Sequence, residues 1–206
     1  MRDLLRACSG QRLSLPDYEA DFYAAVESVD GPILKTERLQ TFREPGSPSW
    51  EAFAVGQWEE ALRIAAEPNP ELKRFFDRLA ELGSGLHRLR VVTLPLSPYL
   101  IWELHFLRFR AEVGELIRVL ATTTEAILEH EREHGIVPEL MVVGSRAVYE
   151  VRYDESGTPI GADKFTDPAV VDGCRERVAS LLAEAEPFDS FYDREVDGRR
   201  PPGGHL

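Results

Sequence analysis

The stretch LRVVTLPLSPYLIWELHFLRFRAEVGELIRVL, residues 89–120, decides the fold. Leu89 to Leu94 is a short run of apolar and β-branched residues, which reads as a strand. Pro95-Leu96-Ser97-Pro98 then turns the chain. Tyr99 to Val113 carries apolar side chains at helical spacing, Gly114 stops it, and Leu116 to Leu120 reads as a second strand. Strand, crossover helix and strand make a right-handed βαβ unit, so the two strands are expected to be parallel.

Apolar side chains cover more than half the circumference of the crossover helix, so it is expected to be mostly buried. Glu103 and Arg110 stand one heptad apart inside that apolar arc, flanked by Tyr99, Phe106 and Leu107. Charges placed there must be paired or occupied by a ligand, because burying them alone is costly. An ion pair within the helix is the simpler reading. The sharper one points Glu103 into a pocket at the carboxyl ends of the strands, where open α/β sheets hold ligands. Glu103 and Arg110 are two turns apart, so they need a bridging group, for which Arg43 or a bound ligand is the candidate. The candidate ligand-binding residues are therefore Arg43, Tyr99, Glu103 and Arg110. His105 falls with Arg108 and Glu112 on the narrow polar face and is expected to be solvated.

Upstream, Ser14-Leu15-Pro16-Asp17 opens a helix that Asp30-Gly31-Pro32 stops. Ile33 to Phe42 reads as a strand. The loop from Arg43 to Ser49 offers a planar cation, a carboxylate and, just beyond, the indole of Trp50. A stripe from Trp50 to Ala65 and a second helix begun by Asn69-Pro70 supply aromatic core. Downstream, Thr124 to His134 is helical, and Glu139 to Val143, Ala147 to Tyr153 and Pro159 to Phe165 read as strands. The last two are joined as a hairpin by Asp154-Glu155-Ser156-Gly157. Asp167-Pro168 caps a long final helix, and Phe188 to Tyr192 adds a short turn. The expected architecture is α+β: a helical N-terminal part with one strand, residues 1–86, packed on a mixed-sheet domain, 87–192. Residues 193–206 are expected to form a disordered tail.

The composition narrows the partners. A chain of 206 residues with 43% hydrophobic content can bury a real core. No apolar run reaches the roughly 20 residues of a membrane helix, and the N-terminus is too polar for a signal peptide, so a cytoplasmic location is expected. A formal charge of -12 opposes direct contact with nucleic acid or an anionic membrane. Cys8 and Cys174 have no metal-type spacing, and reduced thiols are expected.

One catalytic string is present. His130-Glu131-Arg132-Glu133-His134 spells H-E-x-x-H, in which two histidines hold zinc and the glutamate activates its water. The intervening Arg132 and Glu133 are charged, unlike the uncharged pair normally buried beside a zinc ion. Gly135 ends the helix, and no histidine follows before the tail. A solvated, charged helix face accounts for the string, and no metal or other cofactor is expected. The alternative is a zinc hydrolase built on His130 and His134. There is no G-x-S-x-G elbow, phosphate loop or G-x-G-x-x-G.

TFREPGSPSWEAFAVGQWEEALRI, RVVTLPLSPYLIWELHFLRFRAEVGELIRVL and YEVRYDESGTPIGADKFTDPAVV together resemble a bacterial family, domain of unknown function 6879, typical of actinobacteria. The resemblance covers nearly the whole chain to about residue 192. Members are often encoded beside helix-turn-helix transcription regulators, which implies a regulatory or partner role and assigns no catalytic residue. The order of elements in the second half also resembles one half of a phospholipase D fold. Active members of that group need a histidine with a lysine two residues later. His87, His105, His130 and His134 are followed at that offset by Leu89, Leu107, Arg132 and Ile136. That resemblance therefore implies a catalytically dead version. A non-catalytic regulatory or protein-binding role, with room for a small-molecule pocket, is the expected function. A hydrolase, zinc-dependent or phospholipase D-like, is its rival.

Overall fold

A computed structural model of the chain describes residues 1–201, apart from the side chains of His130 and His134. Helix α1 (Arg2–Arg6) leads to strand β1 (Gln11–Ser14) and helix α2 (Leu15–Val26), where the Ser14 side chain accepts from the Asp17 N–H. Strand β2 (Ile33–Glu37) is followed by helices α3 (Pro48–Ala54), α4 (Trp58–Ala65) and α5 (Pro70–Glu81). The crossover unit comprises β3 (Leu86–Leu94), α6 (Pro98–Glu112) and β4 (Leu116–Thr123). Then come α7 (Thr124–His134), β5 (Leu140–Val143), β6 (Ala147–Tyr153) and β7 (Pro159–Phe165). Helix α8 (Pro168–Glu184), the short β8 (Glu186–Pro187) and α9 (Phe188–Glu195) complete the described chain.

All eight strands join one sheet in the order β1-β7-β6-β5-β2-β3-β4-β8. β3 and β4 are parallel, as the crossover pattern predicts, and β2 is parallel to β3; the remaining pairings are antiparallel. The fold is thus α+β with a mixed sheet. Both strands of residues 11–37 belong to it, and β2 lies near its centre, between β5 and β3.

Side chains alternate between the faces of a strand, and the two faces differ. On one face Leu34, Leu89, Val91, Leu140, Val142 and Val148 meet α8 through Val171, Cys174 and Val178. On the other, Ile33, Leu86, Met141 and Tyr149 meet α2 and α5 through Phe22, Val26, Phe76 and Leu79. The same alternation sends Lys35 and Glu37 of β2 to this second face with Ile33. Arg88 and Arg90 of β3 go there with Leu86. The register aligns Lys35 with Arg88 and Glu37 with Arg90. One face of the central strands is therefore apolar, and the other carries four charges on adjacent strands.

Several boundaries differ from the spacing, each for a local reason. The stripe from Trp50 to Ala65 is two helices, because Gly56 takes a positive φ of 80° between α3 and α4. β2 stops at Glu37 rather than Phe42. The N–H groups of Arg38 and Leu39 donate to Glu139 Oε1 at 2.9 and 2.7 Å instead of continuing a ladder. The expected disordered tail is ordered over its described part. α9 runs to Glu195, Val196 is fully buried in the core of α6 and α9, and Arg200 reaches Glu59 at 2.7 Å. Residues 202–206 lie outside the described residues. His105 is half-buried rather than solvated. Its Nδ1 meets the Tyr192 hydroxyl at 2.7 Å, and the Trp58 and Tyr192 rings stand edge-on to its own. No helix among the described residues is long and apolar enough to cross a membrane.

Candidate functional site

α6 begins where Ser97 caps it, its Oγ accepting from the Leu100 N–H at 3.1 Å. Residues 99–104 and Leu107 are buried, so this helix has no solvated face over its first two turns. Two kinds of neighbour make that possible. Leu100, Leu104 and Leu107 pack on Val92, Ile117 and Val119 of the sheet. Tyr99 and Trp102 pack against Phe42, Phe53 and Ala61. The Trp102 indole also donates to Ser49 Oγ at 3.1 Å. Glu103 faces the charged side of β2 and β3.

There it enters an ion network. Arg90, fully buried, donates from Nε to Glu103 Oε2 at 2.8 Å and from Nη1 to the carbonyls of Glu37 and Val91. Arg88 donates to Glu37 Oε2 and, at 2.6 Å, to Glu115 Oε1. Lys35 lies 2.7 Å from Glu37 Oε1, and Arg110 Nε lies 2.5 Å from Glu115 Oε2. Cation and carboxylate therefore alternate along the row Lys35, Glu37, Arg88, Glu115, Arg110. Arg90 and Glu103 adjoin it.

Burial and pairing pull the acids in opposite directions. For Glu37, burial is outweighed by Arg88, Lys35 and Arg90, which hold its carboxyl well below the usual range. Glu115 is lowered in the same way by Arg88 and Arg110 against its burial. Glu103 has one cation, and burial with Glu37 and Glu44 nearby outweighs Arg90, so its carboxyl is pushed up to about 7. Glu44, chiefly desolvated, is also raised, although it accepts from the Tyr99 hydroxyl at 2.7 Å. The same hydroxyl lies 3.4 Å from Glu103 Oε1. Tyr99 thus bridges two carboxyls that both favour the protonated form more than a free glutamate does.

Lys35, Glu37, Glu44, Arg88, Tyr99 and Glu103 line a cleft of about 510 Å³ between β2, α6, the 38–47 loop and the β6–β7 turn, with Arg90 and Glu115 behind its wall. Arg43, Tyr99, Glu103 and Arg110, the residues singled out in the sequence, all stand on its wall. Their connections differ from the expectation. Glu103 pairs with Arg90, not Arg110, whose partner is Glu115. The bridge between them is protein: Arg90, Glu37, Arg88 and Glu115. Arg43 sits exposed at the rim, its guanidinium 5.8 Å from the centre of the Trp50 ring. The spacing missed Arg88 because the strand reading began at Leu89, and Arg90 because that reading weighed only apolar residues. A signal was present: an arginine between Leu89 and Val91 in a strand buried on both faces must find a carboxylate.

The H-E-x-x-H string occupies the last turns of α7. The side chains of His130 and His134 lie outside the described residues. Glu131 is described, and both its oxygens accept from Arg38, from Nε at 2.5 Å and Nη2 at 2.7 Å. That bidentate pair ties α7 to the chain leaving β2 and commits the carboxylate a zinc site would use as base. Among the described residues, no group of three or more His, Cys, Asp and Glu is arranged to hold a metal ion.

A family model described as domain of unknown function (DUF6879) matches residues 20–193. The chain belongs to this family. The matched span of this DUF6879 protein contains the whole network from Lys35 to Glu115 and the H-E-x-x-H helix. No curated protein matches the chain. Among solved structures it is similar to that of TrmBL2, described as an archaeal chromatin protein with a novel mode of DNA binding. The identity is 14% and the TM-score 0.43; the match covers 86% of this chain and 52% of that one, so this chain spans about half the length of TrmBL2.

Proposed function

We propose that this DUF6879 protein is a non-catalytic regulatory module whose central cleft binds a small polar molecule and whose acidic surface serves a protein partner. The observation that carries this reading is the cleft itself. Two elements far apart in sequence, the 38–47 loop and α6, bring Arg43, Glu44, Tyr99 and Glu103 to one wall of a space large enough for a small metabolite. Its charged groups are mostly held by one another, which suits recognition. A catalytic acid or base would need freedom to exchange its proton with a substrate. Arg43 is the exception, since at the rim it stacks on Trp50 and its charge is met only at longer range, by Asp154 of the β6–β7 turn, among the described residues. It suits an acidic group of the ligand, while Glu44 and Glu103 accept hydrogen bonds from its donors.

A helix-turn-helix regulator encoded nearby is the partner that the family resemblance implies. The net charge of -12 keeps the chain itself off nucleic acid in this reading. The phospholipase D-like order of elements belongs to the same non-catalytic reading, because no histidine here is followed two residues later by lysine.

Thermal unfolding in the presence of a panel of free amino acids, monosaccharides and nucleosides tests the cleft. A ligand that binds only the folded chain raises Tm as its concentration passes Kd. At least one should do so for the wild type. The shift should shrink in Arg43→Ala, an exposed side chain whose loss leaves the core intact. If no member of the panel shifts Tm, or the shift survives both Arg43→Ala and Glu44→Gln, the cleft is not a binding site for these molecules.

A further inference from the structure

The cation row has a second side. A groove of about 480 Å³ lies between α2, α5 and the sheet, and Lys35, Arg88 and Arg110 line it as well as the central cleft. Its apolar wall is formed by Phe22, Tyr23, Leu72, Phe75, Leu86 and Met141. Tyr23 is 59% exposed, an unusual state for an aromatic on a packed helix, and it stands edge-on to Phe75 with ring centres 6.1 Å apart. Phe22 completes the group at 5.5 Å from Tyr23 and 6.4 Å from Phe75.

The charge on this wall opposes that of the chain. Lys35, Arg74, Arg88 and Arg110 line the groove, with Glu71 as the only acid on it among the described residues. The carboxylates that hold the row together, Glu37 and Glu115, do not line the groove, and their side chains are only 8% and 0% exposed. The row has three cations to two carboxylates, Lys35, Arg88 and Arg110 against Glu37 and Glu115, so one positive charge is left over. Its two ends, Lys35 and Arg110, keep 23% and 21% exposure. Arg74 adds a more open guanidinium, 3.9 Å from Glu71. A chain of formal charge -12 thus presents a local excess of cation beside a partly exposed aromatic cluster.

We propose that this groove is a second binding site, for a small organic anion with a flat apolar body. Its carboxylate or phosphate is held by Lys35, Arg74 and Arg110, and its body lies against Tyr23 and Phe75. Arginine matches a carboxylate or phosphate with two parallel hydrogen bonds, and a partly buried cation is worth more to an anion than a solvated one. Aromatic rings favour edge-on and offset contacts with another flat ring. Arg43, Tyr99 and Glu103 line the central cleft and not this groove, so the two sites separate by mutation.

Calorimetric titration of the full chain with 1-naphthoate, set against 1-naphthylmethylammonium, tests the site. The anion is expected to saturate a single site, and the cation to give no saturable heat. Tyr23→Ala and Arg74→Ala alter exposed side chains; each should weaken naphthoate by about tenfold, the scale of one charge-assisted or aromatic contact. Circular dichroism should remain that of the wild type in both. Added salt should weaken binding, and Arg43→Ala should leave it unchanged. Equal binding of the cation, or no effect of either groove substitution, overturns the site. Loss on Arg43→Ala alone would place naphthoate in the central cleft and overturn it too, whereas silence of the central cleft towards its own panel leaves this result standing.

Discussion

Helices α6 and α7 both carry charged residues in suggestive patterns, and the structure uses them in opposite ways. α7 displays a recognisable string, yet Ile127 is its only buried residue among those described, and its Glu131 pins a loop through Arg38. α6 displays no motif, yet Glu103 within it is 4% exposed and belongs to a network of seven charged side chains: Lys35, Glu37, Arg88, Arg90, Glu103, Arg110 and Glu115. The difference is one of surroundings. The carboxylate of the string is met by one arginine from a neighbouring loop, whereas the charge inside the apolar arc is met by Arg90 and the row behind it.

The comparison breaks most visibly at Arg90. Arg90→Met removes the single cation beside Glu103 and leaves a carboxyl buried among other acids. Urea unfolding should show a loss of about 3–5 kcal/mol, the range for stripping one partner from a buried pair. A loss near zero would mean that the pair is solvated and that the contrast with α7 is false.

Glu103→Gln is the milder change, because Arg90 keeps its bonds to the Glu37 and Val91 carbonyls. A loss of about 1–3 kcal/mol is expected. Its pH dependence sharpens the point. Glu103 and Glu139 both have carboxyls pushed up to about 7, by burial first and then by neighbouring acids. A raised folded pKa means that the native chain holds the proton more tightly than the unfolded chain does. The stability this confers is present below the ordinary value of 4.5 and is lost as pH rises through about 7. Glu37 and Glu115, both lowered, act the other way and lose their contribution in acid. Between about pH 5 and about 8 Glu103 and Glu139 pull the unfolding free energy down, while His87 and His105, both lowered by burial, pull it up, and Glu103→Gln should remove part of the downward pull. Identical slopes for variant and wild type would remove Glu103 as a cause.

Smaller effects belong to α7. Glu131→Gln weakens a bidentate pair whose side chains are 22% (Arg38) and 8% (Glu131) exposed, and about 1–2 kcal/mol should be lost by the same denaturation measurement. Smallest of all is the expected effect of His130→Ala on metal content. The purified chain should hold no stoichiometric zinc with or without the substitution. About one zinc per chain, lost in that variant, would restore the hydrolase reading.

Much of the fold was legible because its signals are local. Ser14 before Leu15 and Asp167 before Pro168 mark helix starts that the structure keeps, and Gly114 marks a stop with a positive φ. The crossover pattern fixed the parallel β3–β4 pair. Pairings made at a distance were less legible. Gln11–Ser14 becomes a strand only because β7 offers an edge to it, and Val196 is ordered by the α6–α9 core rather than by its own neighbours. The site follows the same division. Arg43, Tyr99, Glu103 and Arg110 were visible from helical geometry and loop chemistry. The partners Arg90, Glu37 and Arg88 depend on the register of two strands more than fifty residues apart, Glu37 beside Arg90, which no local pattern records.

The most direct test sets the two helices against each other in one binding experiment. Whichever polar molecule raises the Tm of the wild type is titrated against Glu103→Gln and Glu131→Gln, each read as a shift from its own unliganded Tm. The account predicts that the shift is lost or strongly reduced in Glu103→Gln and retained in Glu131→Gln. A shift that survives in Glu103→Gln and disappears in Glu131→Gln would move the working site to α7 and contradict it.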